Sequence, residues 1–378
     1  RFFFFLNLHY CIFVEILHMR FLLFFILFFA TVFSTVAQDT LRLMHYNLLM
    51  YGNDFGGCNQ ANNNVEAKNA YLKTIVDYVR PDILSVNEIY REDYYHDLLL
   101  ENVFNTGGIN YFERGFPPNL SNGYTLNNVF FDSRKLELVS NSVAATGVRD
   151  IDLFRFKYVH ESYADSNVRL NCAVAHLKAG NSDDDRTERA SQTFSMMQYL
   201  SNSTQGNYIL AGDLNLYTGA ETAFQNLLFF PNEDARFYDP VNMVGEWHNN
   251  SNFADVHSQS THISGNCPSG GGLDDRFDFI LVSEEILEGD DNIKMAENSY
   301  RTIGQDGLRF NASLTSDPNN FSAPADVITA LYNMSDHLPI VLDLVIGSNL
   351  DVGENRINNL KLAFENPGKD VIKINYKT

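Results

Sequence analysis

The chain is short of positive charge. Its 378 residues include 27 lysines and arginines against 47 aspartates and glutamates, which gives a net charge of −20 at pH 7. This balance excludes a broad basic surface that holds a polyphosphate chain by releasing its counterions. It does not exclude a phosphate-bearing substrate, because a bound divalent cation can reverse the local field of an acidic cleft. Any phosphate chemistry should therefore require a metal ion.

Cysteine is scarce, with four residues in the whole sequence, and no Cys-x-x-Cys pair or compact Cys/His cluster occurs. A structural zinc site is therefore excluded. Cys172 lies in an apolar run and is predicted to be a buried small hydrophobe. Cys58 and Cys267 lie in glycine-rich loops. They are the expected disulfide pair if one forms, and two free thiols are the alternative.

A transmembrane anchor is the alternative for the apolar run near the start of the sequence, but this run is shorter than the ~20 residues that a membrane span needs. The run Phe21 to Phe33 follows Met19-Arg20 and precedes small residues that end at Ala37. This pattern predicts a secretory signal peptide over 19–37 and a secreted or cell-surface protein, with no membrane span after cleavage. Residues 1–18 lack an initiator Met, and we expect them to be upstream sequence translated in error.

Apolar periodicity predicts strands that alternate with helices. The predicted strands are 41–47, 82–87, 170–175, 208–211, 276–282 and 338–346; the predicted helices are 64–80 and 186–202; residues 125–131 and 135–140 are predicted to form a hairpin. Segments 216–272 and 299–334 are weakly periodic and are predicted to be long functional loops. We expect one α/β domain over 39–346, and periodicity alone favours a parallel, doubly wound sheet.

Polar residues stand where the apolar strands end. Asn47, Glu88, His176 and Asp213 each lie at or just past the carboxyl end of a predicted strand. Taken singly, each is more often an ordinary loop carboxylate or a structural side chain. Their joint placement favours a site, because such strand ends meet at a common edge of an α/β sheet.

Gly212-Asp213-Leu214-Asn215 is the sharpest local element. A carboxylate can orient or deprotonate water, and a nearby amide can donate to the oxygens of a phosphorane as charge develops. An Asp/Asn turn is the alternative. The apolar strand that leads into Asp213 and Asn215 favours the functional interpretation.

A second acidic element lies near the end of the domain. Asp278 interrupts an apolar strand and needs a buried partner. A histidine on a neighbouring strand would serve, whereas a salt bridge with Arg276 is disfavoured because adjacent residues point to opposite faces. Asp336 and His337 stand before the last strand, where they can supply a metal ligand and a general acid or base.

In this order, the motifs resemble the endonuclease/exonuclease/phosphatase family, whose fold is also described as deoxyribonuclease I-like. The resemblance spans about 41–346 and rests on Tyr46-Asn47, Glu88-Ile89, Ala175-His176-Leu177, Gly212 to Asn215, Arg276-Phe277-Asp278 and Ser335-Asp336-His337. It implies a four-layered α/β sandwich, in which two packed, mixed, mainly antiparallel β-sheets are flanked by helices. This expectation replaces the parallel sheet that periodicity favours.

The resemblance also implies a divalent-metal site. Glu88 would be the principal ligand, with Asn47 and Asp336 near the ion. Oxygen-rich ligands fit Mg²⁺, with Mn²⁺ or Ca²⁺ as substitutes.

Five catalytic residues are implied in the same way. Asp213 would position or activate the attacking water, and Asn215 would stabilise the transition state. His337 would act on the phosphate or as the acid/base, held by Asp278. His176 would contact the scissile phosphate.

The expected function is a secreted, monomeric, metal-dependent phosphodiester hydrolase, with an endonuclease acting on nucleic acid preferred. The His176-Leu177-Lys178 segment replaces the Tyr-plus-Asn pattern of base-excision nucleases and argues against abasic-site repair, while Asn87 stands where many members carry Gln. A phosphatase or sphingomyelinase-like phosphodiesterase is the alternative within the family. An inactive surface binding module is disfavoured, since it should have lost at least one of five residues that all stand in place: Glu88, Asp213, Asn215, Asp278 and His337.

The C-terminal segment 350–378 is separate from this domain. Asn366-Pro367 followed by a β-run resembles the beginning of the sorting domain of the type IX secretion system of Bacteroidetes, in truncated form. An ordinary extra hairpin is the alternative.

Overall fold

Two β-sheets form the centre of the fold. The structure, a computed structural model, describes residues 39–159, 168–203 and 206–347. In chain order the strands are β1 (Asp39–Tyr51), β2 (Ile83–Tyr90), β3 (Phe112–Arg114), β4 (Thr125–Asp132), β5 (Leu136–Thr146), β6 (Asp150–Tyr158), β7 (Arg169–His176), β8 (Tyr208–Asp213), β9 (Phe237–Tyr238), β10 (Asp278–Ser283), β11 (Ile293–Met295), β12 (Arg301–Thr302) and β13 (Ile340–Ile346).

The two sheets are mixed. The first has the order β11-β13-β1-β2-β4-β3, with β12 paired to β13, and the second has the order β5-β6-β7-β8-β10-β9. β1 runs parallel to β2 and β7 runs parallel to β8. The pairs β2–β4, β5–β6, β6–β7 and β8–β10 are antiparallel. The expected two-sheet architecture is confirmed, and the parallel doubly wound sheet is wrong.

Six α-helices flank the sheets within the described residues. They are α1 (Val65–Val79), α2 (Asp93–Leu99), α3 (Asp183–Ser201), α4 (Thr222–Leu228), α5 (Glu284–Glu288) and α6 (Ala325–Met334). The side chain of Asn64 accepts a hydrogen bond from the amide of Ala67 and begins α1, which ends before Pro81. Ser182 and Asp185 form a capping box that begins α3. Among the described residues, no helix is both long and apolar enough to cross a membrane.

Three apolar cores give the fold its layers. One lies between the sheets, where Leu43 and Phe131 of the first sheet share a core with Phe154 and Ile280 of the second. A second core joins the outer face of the first sheet to α1 and α6, and a third joins the outer face of the second sheet to α3 and α4. The order is therefore helices, sheet, sheet, helices, as the resemblance implies.

Two local expectations are wrong. Residues 125–131 and 135–140 do not form a hairpin, because β4 pairs with β2 and β3 whereas β5 pairs with β6. The turn at Asp132 to Lys135 instead carries the chain from one sheet to the other. A hairpin and a crossing between sheets give the same apolar periodicity in the two strands, so the sequence pattern does not distinguish them. Segments 216–272 and 299–334 are not wholly loops. The helix α4 lies in 216–272 and packs in the core on the outer face of the second sheet, and α6 lies in 299–334 and packs in the core on the outer face of the first sheet.

The three cysteines among the described residues form one disulfide and one free thiol. Cys58 and Cys267 are joined, with an S–S distance of 2.09 Å, and Cys172 is a buried thiol whose pKa burial raises to about 12. The expected signal peptide over 19–37, the upstream segment 1–18 and the sorting-like tail 350–378 lie outside the described residues.

Candidate active site

The candidate site lies at the carboxyl ends of the two parallel strand pairs. β1 and β2 deliver Asn47 and Glu88, and β7 and β8 deliver His176 and Asp213, which are directly paired in register. β8 can approach β7 this closely because residue 212 is glycine, where a Cβ atom would overlap the carbonyl oxygen of Ala175. The polar side chains that interrupt the apolar strands therefore meet at one edge of the sandwich.

Asn47 joins the two sheets at this edge. Its Nδ2 donates hydrogen bonds to Oε1 of Glu88 at 3.2 Å and to Oδ2 of Asp213 at 3.1 Å. Its Oδ1 accepts from the amide of Leu49 at 2.9 Å, so the amide nitrogen faces the two carboxylates. The other oxygen of Glu88 accepts from the amide of Met50 at 2.9 Å. Glu88 has φ of 61°, a left-handed conformation that the surrounding bonds must stabilise.

A buried lysine supports the segment that follows Asn47. Nζ of Lys68 donates to the carbonyl oxygens of Leu48 and Leu49, each at 2.7 Å, and to Oδ1 of Asn63 at 2.6 Å. Burial lowers the pKa of Lys68 to about 7. Leu49 and Met50 have φ of 44° and 48°. The lysine therefore satisfies carbonyl groups in a strained segment that presents an amide to Glu88.

Glu88, His176 and Asp213 offer ligand atoms that all lie within 4.8 Å of one another. Nε2 of His176 is 3.5 Å from Oδ2 of Asp213 and 3.7 Å from Oε1 of Glu88. Burial is the main cause that lowers the pKa of His176 well below its usual value, so the imidazole is neutral and keeps a lone pair for a ligand. Two carboxylates and a neutral imidazole are a donor set that suits a divalent cation.

The acid–base properties of Asp213 depend on its burial. Desolvation raises its pKa to about 7, the positive charge of His337 opposes this shift, and the carboxylates of Asp278 and Glu88 add to it. Carboxylates this close to one another disfavour the ionised form of each. A cation bound by Glu88, His176 and Asp213 would favour the ionised form of Asp213.

His337 and Asp278 form a hydrogen-bonded pair beside this group. Nδ1 of His337 lies 2.7 Å from Oδ2 of Asp278, and Nε2 of His337 lies 3.7 Å from Oδ2 of Asp213. Burial alone would lower the pKa of His337, but the carboxylates of Asp278 and Asp213 raise it well above its usual value. The two carboxylates therefore favour the cationic form of the ring, whose Nε2 lies on the side of Asp213. Asp278 has the histidine partner that was expected, but His337 lies in the segment before β13 and not on a neighbouring strand.

Asn215 lies next to Asp213, as its sequence spacing suggests. Its amide donates to Oδ1 of Asp213 at 3.0 Å, and its Nδ2 donates to the carbonyl oxygen of Leu177 at 3.3 Å. It has φ of 49°, a conformation that asparagine adopts more readily than most residues. The side chain is thereby fixed between the ends of β7 and β8.

Asp336 makes contacts different from those of the other acidic residues. Its Oδ2 accepts from the amide of Ser269 at 2.8 Å and from Nε2 of Gln259 at 3.4 Å. The same Nε2 of Gln259 lies 2.6 Å from Nε2 of His337. Asp336 is therefore connected to His337 by way of the Gln259 side chain, whereas His176 and Asp213 lie directly beside Glu88. Its role as a metal ligand stays a prediction.

A second group of potential ligands lies in the part of the chain that the structure describes. His248, Asp274 and Asp275 also hold ligand atoms within 4.8 Å of one another. Nδ1 of His248 lies 2.6 Å from Oδ1 of Asp275, so the imidazole is already bound to one of the two carboxylates. The close contact favours a hydrogen-bonded pair over a cation site.

Several contributing residues were not predicted. Ser258 donates from Oγ to Oδ2 of Asp278 at 2.6 Å, and His45 places Nε2 3.7 Å from the other oxygen of Asp278. Burial lowers the pKa of His45 to about 4. Ser258 and Gln259 lie in an irregular loop without periodicity, so no sequence signal identifies them. His45 could have been found, because it is a polar residue inside a predicted apolar strand.

Comparison with known proteins identifies the fold. No protein-family model and no curated protein matches the sequence. The structure is similar to D. rerio TDP2 complexed with a single-strand DNA product, at 15% identity and a TM-score of 0.51, over 81% of this chain and 99% of that chain. It is also similar to the human Nocturnin catalytic domain with a bound sulfate anion, at 16% identity and a TM-score of 0.50, over 84% of this chain and 100% of the other.

A bacterial protein gives the same result. An endonuclease/exonuclease/phosphatase from Bacteroides vulgatus aligns at 13% identity with a TM-score of 0.50, over 82% of this chain and all of that chain (100%). Likeness at such low identity establishes the fold alone. The chain therefore has the deoxyribonuclease I-like fold of endonuclease/exonuclease/phosphatase proteins.

Proposed function

We propose that the protein is a metal-dependent phosphodiester hydrolase that cleaves nucleic acid outside the cell. One observation carries the proposal. Asn47 bridges Glu88 and Asp213 at 3.2 and 3.1 Å, and Asp213 lies 3.7 Å from a histidine that Asp278 holds in place. Metal-ligating and acid–base groups thus meet at one edge of a fold shared with endonuclease/exonuclease/phosphatase proteins.

The metal would be held by Glu88 together with Asp213 and His176, with Asn47 beside them and Asp336 as a further candidate. Mg²⁺ is the proposed ion, because carboxylate oxygens dominate the set, and Mn²⁺ or Ca²⁺ could substitute. When bound, the ion would polarise the phosphate and neutralise its negative charge. The acidic composition of the chain is consistent with a requirement for a bound cation.

The residues of the chain supply the remaining steps. Asp213 accepts a proton from, or orients, the water that attacks phosphorus. The cationic imidazole of His337 donates a hydrogen bond to a phosphate oxygen or a proton to the leaving group. Asn215, fixed by the carbonyl of Leu177, donates to the oxygens on which charge develops.

Nucleic acid is the proposed substrate class. The support is the shared fold with D. rerio TDP2, whose structure contains a single-strand DNA product. Export through the expected signal peptide would place the enzyme outside the cell. The disulfide between Cys58 and Cys267 supports export, since disulfides persist in oxidising compartments.

A substrate panel tests the proposal. Purified protein would be incubated with single-stranded DNA, duplex DNA, RNA, sphingomyelin and a phosphomonoester, with Mg²⁺ and with EDTA. We expect DNA or RNA cleavage in Mg²⁺ and none in EDTA. Cleavage of sphingomyelin or the monoester without nucleic-acid cleavage would overturn the substrate, and equal cleavage in EDTA would overturn the metal.

A further inference from the structure

A chain of buried polar side chains connects the two sheets behind the candidate site. The main-chain amide of Asp213 donates to Oδ1 of Asn87 at 2.9 Å. Nδ2 of Asn87 donates to Oδ1 of Asn127 at 2.7 Å. Nδ2 of Asn127 in turn donates to Oδ2 of Asp152 at 3.0 Å. All four residues are at most 3% exposed. We call the side chains of Asn87, Asn127 and Asp152 the amide relay.

The relay has a fixed direction. Nδ2 of Asn127 also donates to the carbonyl oxygens of Asp150 at 2.9 Å and Val174 at 3.1 Å. Two carbonyls offer only acceptors to this end of the amide, so Asn127 must present its oxygen to Asn87. Asn87 must then donate to Asn127 and turn its own oxygen to Asp213. The orientation of Asn127 therefore determines which atom the amide of Asp213 meets.

The relay occupies an irregularity in the first sheet. The pairing of β2 with β4 shifts between Val86 and Ile89, and Glu88 with its φ of 61° lies inside that shift. Asn87 and Asn127 stand at the interruption and bond through side chains, while the neighbouring residues pair through the main chain. The relay thus braces the segment that carries Glu88 and, across the sheets, the end of β8 that carries Asp213.

Stability alone does not require such an arrangement. A fully buried polar network is at best comparable with apolar residues of the same volume, and it costs much when one partner is missing. Away from the candidate site, the interface between the sheets is an apolar core. The polar links are concentrated at the edge where the candidate site lies, and this placement indicates a role in geometry.

We propose that Asn127 is a positioning residue for Asp213, acting through Asn87, in the hydrolysis proposed above, on which this inference rests. The relay holds the main chain of Asp213 so that its carboxylate stays within reach of Asn47 and His337. A displacement of about 1 Å in a catalytic group can lower a rate about a hundredfold. Loss of the relay should therefore lower turnover more than substrate binding.

Asn207 provides a matched control. It is also a buried asparagine, and its Nδ2 donates to the carbonyl oxygens of Arg169 and Asp291, each at 3.0 Å. It stands at the opposite end of β8 from Asp213. Replacing Asn207 with Ala should therefore cost stability by a similar mechanism, the loss of buried amide bonds, without disturbing the candidate site.

The experiment compares Asn127→Ala with Asn207→Ala, and uses Asn127→Ser if the alanine variant does not fold. We expect kcat to fall about tenfold for the residue 127 variant, with KM within twofold of wild type, and both constants to stay within twofold for Asn207→Ala. If the two variants have equal kcat, or if KM alone changes at residue 127, the positioning role is wrong.

A second readout does not depend on activity. In protein labelled with ¹⁵N-aspartate and free of metal and substrate, the amide resonance of Asp213 should shift in the residue 127 variant, and its hydrogen exchange should become at least tenfold faster. The resonance should not change in Asn207→Ala. An unchanged Asp213 amide in both variants would overturn the relay. If wild type cleaves no phosphodiester, the proposed function fails, while this readout still decides whether Asn127 positions Asp213.

Discussion

Oδ2 of Asp278 lies 2.7 Å from Nδ1 of His337, and the same oxygen accepts a hydrogen bond from Ser258 at 2.6 Å. The pair joins β10 of the second sheet to the segment that leads into β13 of the first sheet. The carboxylate fixes the imidazole ring and favours its cationic form. Nε2 is then directed to the side where Asp213 and the proposed substrate phosphate lie.

The Asp278→Asn variant should lose most of its turnover. An amide can no longer favour the cation on His337, so the pKa of the imidazole should fall. We expect kcat to fall about a hundredfold at neutral pH, within the range typical of general acid–base catalysis. If His337 acts as the acid, activity is lost as pH rises through its pKa, so this limb of the pH–kcat profile should move to lower pH in the variant. Ser258→Ala should change kcat by only a few-fold. A variant with the wild-type profile would contradict the role of the pair.

The disulfide should stabilise two loops of the site together. Cys58 lies in the loop after Met50, whose amide binds Glu88, and Cys267 lies two residues before Ser269, whose amide binds Asp336. Replacing both cysteines with serine should lower the free energy of unfolding by about 2–4 kcal/mol. Thermal unfolding with and without a reductant measures this. Reductant should lower the Tm of wild type and of Cys172→Ala, and should not affect the double variant. Equal Tm values for wild type and the double variant would show that the bridge does not stabilise the fold.

His96 should make the protein sensitive to acid. Its Nδ1 accepts from Nδ2 of Asn128 at 2.6 Å and its Nε2 donates to the carbonyl of Tyr90 at 3.0 Å, so the neutral ring satisfies both bonds. Burial lowers its pKa from 6.5 to about 4. Since the unfolded chain binds the proton first, the stabilisation is complete above pH 6.5 and is lost as the pH falls toward 4, by about 3 kcal/mol.

Urea unfolding at several pH values checks this effect. The His96→Gln variant should be less stable than wild type at pH 8, and its stability should depend less steeply on pH between 6.5 and 4. His45, whose pKa burial also lowers to about 4, remains in the variant, so some dependence should persist. An unchanged slope would show that His96 does not carry the effect.

The residues that the sequence predicts best are those at strand ends. Asn47, Glu88, His176 and Asp213 lie toward the carboxyl ends of apolar strands. Such strand ends converge whether the sheets are doubly wound or packed as a sandwich. The pairing of Asp278 with a histidine was also predictable, because a buried carboxylate needs a partner. These inferences depend on polar residues that interrupt apolar strands and on the convergence of carboxyl strand ends in a sheet.

The parts that the sequence does not predict depend on tertiary contacts. Periodicity in β4 and β5 cannot distinguish a hairpin from a crossing between sheets, because both strands bury alternate residues in the same core. Ser258 and Gln259 contact the site from an irregular loop that tertiary packing orders. Asn127 interrupts an apolar strand in the same way as Asp278, so the sequence marks it as a residue that needs a buried polar partner. Only the structure shows that this partner is Asn87.

The most direct test of the central claim is the rate of single-stranded DNA cleavage by wild type and by Glu88→Gln as Mg²⁺ is titrated. Oε1 of Glu88 accepts a hydrogen bond from Nδ2 of Asn47 at 3.2 Å, and Glu88 is the principal ligand of the proposed metal site. We predict that wild type is activated by Mg²⁺ and inactive in EDTA. The variant, with a Tm close to that of wild type, should be at least about a hundredfold slower at saturating metal. A variant that cleaves DNA at the wild-type rate, or a wild type indifferent to EDTA, would contradict a metal-dependent hydrolase built on Glu88.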